Sequence, residues 1–98
     1  MKKLTRAQAE EVYDVLVREA QAPDGDWRQS FVMEFTGDQP TSQWRFCGSL
    51  GFGGKFRFPR LVVDCYPEHE TPENLATITR TNAQLDQLRQ RWERAPAA

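Results

Sequence analysis

Residues 29–35 read QSFVMEF. Phe31, Met33 and Phe35 alternate with Ser30, Val32 and Glu34, and a period of two marks a half-buried β-strand, because successive strand side chains leave on opposite faces. With this stretch as the first strand, the segments that follow supply three more. Short connections make consecutive strands antiparallel neighbours. The fold class expected is therefore α+β: a four-stranded antiparallel meander flanked by an N-terminal and a long C-terminal helix, in the order αββββα.

Moving downstream, the polar turn GDQPTS at 37–42 leads to a second alternation, with Trp44, Phe46, Gly48 and Leu50 on one side and Arg45, Cys47 and Ser49 on the other. Gly51, Gly53 and Gly54 break that strand, since glycine alone takes positive φ without steric cost. Phe56 and Phe58 resume the period with Lys55 and Arg57 between them. Pro59 and Arg60 bend the chain into LVVDCY (61–66), apolar enough for a central strand that Pro67 closes.

Upstream, Thr5 and Gln8 match a capping box, in which hydroxyl and amide each satisfy a free N–H of the first turn. Ala9, Val12, Tyr13, Leu16 and Ala20 follow at helical spacing, and Pro23, Asp24 and Gly25 stop the helix. At the other end Thr71 and Pro72 read as an N-cap followed by proline in the first turn, with Glu73 suited to the positive end of the helix dipole. Leu75, Ile78, Asn82, Leu85 and Trp92, with Leu88 beside them, form the stripe of a helix of about 22 residues, roughly 33 Å long. Asn82 serves either a hydrogen bond within the core or register in a dimer. Residues 95–98, APAA, read as a frayed tail.

The 98 residues suit one domain, 1–98, and leave no room for a second core. A net charge of −1 gives no overall pull toward nucleic acid or membrane, so an electrostatic partner must be met by a local patch. Glu10 and Glu11 stand where a signal peptide needs its apolar region, and no stretch approaches the roughly 20 apolar residues of a membrane span. The expected location is the cytoplasm. There Cys47 and Cys65 stay reduced; they would bridge only in an oxidising compartment.

Residues 48–60, GSLGFGGKFRFPR, concentrate four glycines, three phenylalanines and three cations. Gly54 and Lys55 fit a phosphate loop, but Ser49 stands at its first glycine and Phe56 replaces its hydroxyl residue. The dinucleotide fingerprint fails on spacing. Gly51, Phe52 and Gly53 match the middle of an RNA-recognition motif, with Leu50 where its cation belongs. Arg45, Lys55, Arg57 and Arg60, interleaved with aromatics and with no acid among them, could hold a single nucleic-acid strand by stacking and phosphate contacts. The alternation instead places Trp44, Phe46, Phe56 and Phe58 in the core and the cations on a solvated face. Only Phe52 is then left without a buried place, as the anchor of a partner-binding loop.

No catalytic constellation emerges. His69 follows Cys65 by four residues, yet Glu68, Glu70 and Glu73 surround it, the wrong setting for an activated thiol. Cys47, Cys65 and His69 lack the close pairing usual for zinc. No metal and no cofactor are expected. The glutamates read as a solvated rim or as a contact for a basic partner, and Leu88 with Trp92 as a seam for a second copy of the chain.

The segment from Trp44 to Asn82 resembles small proteins encoded by bacteriophages and bacterial mobile elements, through GSLGFGGKF (48–56) and CYPExETPE (65–73). It covers about two fifths of the chain, with His69 at the variable position. The resemblance implies, by association, a phage-type inhibitor of a host defence complex, of the anti-CRISPR kind, acting by stoichiometric docking. The function expected is thus non-enzymatic binding of a host protein or ribonucleoprotein through Phe52, Lys55, Arg57, Arg60 and Arg45. The alternative is a single-stranded nucleic-acid binder using the strip 44–60.

Overall fold

Thr5 begins the first helix as the sequence requires: its Oγ1 accepts from the Gln8 N–H at 3.1 Å and its own N–H donates to Gln8 Oε1 at 3.0 Å. Helix α1 then runs Arg6–Ala20. The computed structural model describes residues 4–22, 25–36, 43–47, 53–57, 60–63, 68 and 70–94, with backbone alone at 26, 27, 43, 45–47, 53–55, 57 and 63. The turn at 37–42, Phe52, Phe58, Pro59, Cys65, Pro67, His69 and the tail at 95–98 lie outside the described residues.

Ala9, Val12, Tyr13, Val15, Leu16 and Ala20 of α1 are buried, the expected stripe with Val15 added. The helix stops before Pro23 is reached. Gln21 adopts φ 56 and ψ 35, and the Gln21 and Ala22 amides both turn back to the Leu16 carbonyl. A residue in the left-handed region ends a helix because it reverses the chain while satisfying carbonyls of the last turn.

The QSFVMEF stretch is a helix. Helix α2 spans Asp26–Thr36, not a first strand. Period two requires Val32 and Met33 to face oppositely with Met33 inside, yet Val32 is 2% exposed and Met33 66%. Phe31, Val32 and Phe35 instead share one helical face. Phe31 and Phe35, four residues apart, share a face under either period, and only Val32 and Met33 tell the two apart. Packing against α1 decides, with Tyr13 edge-on to Phe31 at 5.3 Å between ring centroids, while within α2 Phe31 lies against Phe35 at 4.8 Å.

Three strands follow: β1 Gln43–Cys47, β2 Gly53–Arg57 and β3 Arg60–Val63. They form an antiparallel sheet in the order β1-β2-β3. The expected four-stranded meander is therefore corrected to three strands, and the α+β class to a mainly helical one, since helices of 15, 11 and 23 residues outweigh strands of 5, 5 and 4. Gly53 and Gly54 do not break the sheet; they pair with Cys47 and Phe46. Among the described residues, the LVVDCY segment is not central either. Its described part, in β3, pairs only with β2.

Helix α3, Pro72–Arg94, is capped by Thr71, whose Oγ1 accepts from the Asn74 N–H at 3.2 Å. Of the expected stripe, Leu85 is buried, Ile78, Leu88 and Trp92 pack against the core and Asn82 bonds to Leu61, but the face differs at its start. Leu75 is exposed, whereas Asn74, Thr77, Thr81 and Leu85 are buried. Threonines can lie inside here because each hydroxyl donates to a carbonyl of its own helix, Thr77 to Glu73 at 3.1 Å and Thr81 to Thr77 at 2.7 Å.

The core sits between the helices and one face of the sheet. Phe56 and Leu61 are fully buried, and Phe31 meets Trp44 at 5.6 Å and Phe56 at 6.0 Å, with Phe35 against Phe56 at 5.8 Å. Each fully buried phenylalanine stabilises by about 1.5–3 kcal/mol. Trp44 and Phe56 therefore belong to the core as expected, while Phe58 lies outside the described residues.

Candidate partner-binding face

Strand register decides where the cations go. Trp44, Phe56 and Leu61 are direct partners across the three strands and form the row that meets the core. The rows on either side of it belong to the opposite face of the pleat. One is Gln43, Arg57 and Arg60; the other is Arg45, Lys55 and Val62. Arg60 is exposed, and Val62, at 46%, is an apolar residue left open on the same face.

All four expected cations, Arg45, Lys55, Arg57 and Arg60, thus hold register positions in these two rows and none in the row of Trp44, Phe56 and Leu61. The register makes two like-charge couples of them, Arg45 opposite Lys55 and Arg57 opposite Arg60. Direct cross-strand pairing of like charges destabilises a sheet by a few tenths to about 1 kcal/mol each. No acid occurs in the sequences QWRFC, GGKFR and RLVV to offset it. Among the described residues, no carboxylate pairs with Arg60.

The helical layer handles charge differently. Arg28 donates through Nε and Nη2 to Glu10 Oε2 at 3.0 and 2.8 Å and through Nη2 to Asp14 Oδ1 at 2.6 Å, and its guanidinium lies over the Tyr13 ring at 4.9 Å. Arg80 pairs with Glu19 at 3.0 Å and Arg91 with Glu11 at 3.0 Å. These contacts join α1 to α2 and α3, and sequence reading had no signal for them, since the partners lie far apart in the chain.

The remaining expected contacts fall elsewhere. Glu68, Glu70 and Glu73 are exposed around the start of α3, and none forms an ion pair among the described residues. Leu88 and Trp92 are half-buried against the chain's own core, and Trp92 Nε1 donates to Glu11 Oε2 at 2.8 Å. Leu88 also borders a polar cleft of about 380 Å³ between α1 and α3, lined by Glu11, Asp14, Arg18 and Arg91. Glu11 and Asp14 there are already held by Arg91 and Arg28. Phe52, Cys65 and His69 lie outside the described residues, so neither the loop anchor nor the thiol arrangement is placed.

Among the described residues, no three His, Cys, Asp or Glu side chains are grouped to hold a metal, and no helix is long and apolar enough to cross a membrane. No protein-family model matches the chain, and comparison with curated proteins and with solved structures finds no match.

Proposed function

We propose that the chain is a non-enzymatic protein-binding module that docks the cationic face of its sheet onto an acidic surface of a partner. The opposed couples Arg45–Lys55 and Arg57–Arg60 carry this reading. Folding alone gains nothing from setting like charges across neighbouring strands, whereas a carboxylate-rich partner turns the same arrangement into charge complementarity that speeds and orients docking. Arg60 and Val62, exposed side by side on β3, add a polar and an apolar contact point.

The nucleic-acid alternative is weakened by the same register. A stacking platform needs rings on the open face, but Trp44 and Phe56 are spent on contacts with Phe31. The resemblance to small phage proteins extends the proposal to inhibition of a host defence complex.

The test is affinity capture with the purified chain as bait. Reversal of Lys55, Arg57 and Arg60 to glutamate should abolish capture of the wild-type partner while circular dichroism and melting show the fold retained. Unchanged capture by the folded triple variant would remove this face from consideration.

A further inference from the structure

We infer that β1 is an open edge that accepts an extended acidic segment of a partner protein as a fourth, antiparallel strand; the inference rests on the docking role proposed above for the cationic face. The direction of every backbone group in the sheet follows from one contact. Asn82 holds both the N–H and the C=O of Leu61, so these groups point away from β2. In antiparallel pairing a residue's N–H and C=O leave on the same side, and the side alternates along the strand. Phe56, directly opposite Leu61, must then turn its groups toward β1, and Trp44 turns its own toward Phe56. The backbone groups of Gln43, Arg45 and Cys47 consequently point out of the sheet. Among the described residues no strand pairs with β1 on that side.

The two edges are treated differently. Asn82 from α3 closes the β3 edge with a side-chain amide that imitates a neighbouring strand, one of the ways proteins blunt an edge. The β1 edge carries no proline and no such cover among the described residues. Its occupant is selected by charge. Residues of an incoming strand that lie opposite Gln43, Arg45 and Cys47 extend the register rows that hold the four cations, Gln43–Arg57–Arg60 and Arg45–Lys55, so acids at alternate positions match those rows in charge. A second copy of the chain, pairing β1 with β1 about a two-fold axis, would instead join two cationic faces into one and is disfavoured by the same charges.

A labelled synthetic peptide alternating glutamate and valine, titrated into the full chain, tests this. Glutamates on the cationic side direct their own N–H groups at β1, and valines direct theirs outward. N-methylation of the glutamate amides should weaken binding at least about tenfold, and N-methylation of the valine amides should leave it unchanged. In the protein, Arg45→Pro removes an outward N–H and should weaken binding more than Arg45→Ala, which removes only the charge. If Arg45→Pro does not fold, the peptide arms decide alone. Equal binding of both methylated peptides, or no peptide binding while the triple charge reversal still destroys capture, overturns strand addition and leaves charge docking standing. Capture that survives the triple reversal removes charge docking itself. Dimerisation abolished by Arg45→Pro, or tight binding of a single-stranded oligonucleotide with the peptide unbound, also overturns the inference.

Discussion

Asn82 and Leu61, 21 residues apart in the chain, are joined by two hydrogen bonds: Leu61 N–H donates to Asn82 Oδ1 at 2.9 Å, and Asn82 Nδ2 donates to the Leu61 carbonyl at 3.1 Å. The pair ties α3 to β3 and brings the sheet, with its cationic face, into a fixed relation to the helices. Asn82→Ala should destabilise by about 1–3 kcal/mol, because two part-buried backbone groups lose their partner. Asn82→Asp should cost more at neutral pH, since a carboxylate oxygen would face the Leu61 carbonyl where a donor stood. Urea unfolding of both variants checks the order; equal stability of Asp and Asn would contradict the geometry.

Val32 and Met33 discriminate helix from strand at the stretch that decides the architecture. Val32→Ala should lose about 1–2 kcal/mol as a buried site is hollowed, while Met33→Ala should stay within about 0.5 kcal/mol. The reverse ranking in thermal melts would mean that the strand pattern holds after all.

Gln21 at φ 56 occupies a conformation that glycine adopts without a side-chain penalty. Gln21→Gly should therefore raise stability by about 0.5–1 kcal/mol despite the extra freedom of the unfolded chain. A lowered melting temperature would show that contacts of the Gln21 side chain outweigh the relieved strain.

Arg57 and Arg60 face each other across β2 and β3. Arg57→Glu should stabilise the sheet by a few tenths to about 1 kcal/mol at low salt, with the gain shrinking as salt screens it, while partner capture weakens. A double-mutant cycle with Arg60→Glu measures the coupling. Zero coupling at low ionic strength would remove the opposed charges from the argument for binding.

The outer helices were legible because their signals are local. The Thr5–Gln8 box, the Thr71 cap and the stripe of Ala9, Val12, Tyr13 and Leu16 act within a few residues, and each stands where expected. The cations of the middle strands were likewise visible as a strip without acids. Four matters were decided only by long-range packing. QSFVMEF fits both a period of two and a helical turn, and the face offered by Tyr13 on α1 chooses the helix. Thr77 and Thr81 look polar in a hydropathy pattern, yet back-bonding to their own helix lets them turn inward in place of Leu75. Which residues stand across from one another on β1, β2 and β3 is a property of register, and register depends on Phe56 and Leu61 finding the core together. Finally, the open and closed edges of the sheet follow from Asn82 reaching Leu61, a meeting that no local pattern announces because hydrogen-bond partners far apart in sequence are brought together only by the folded chain.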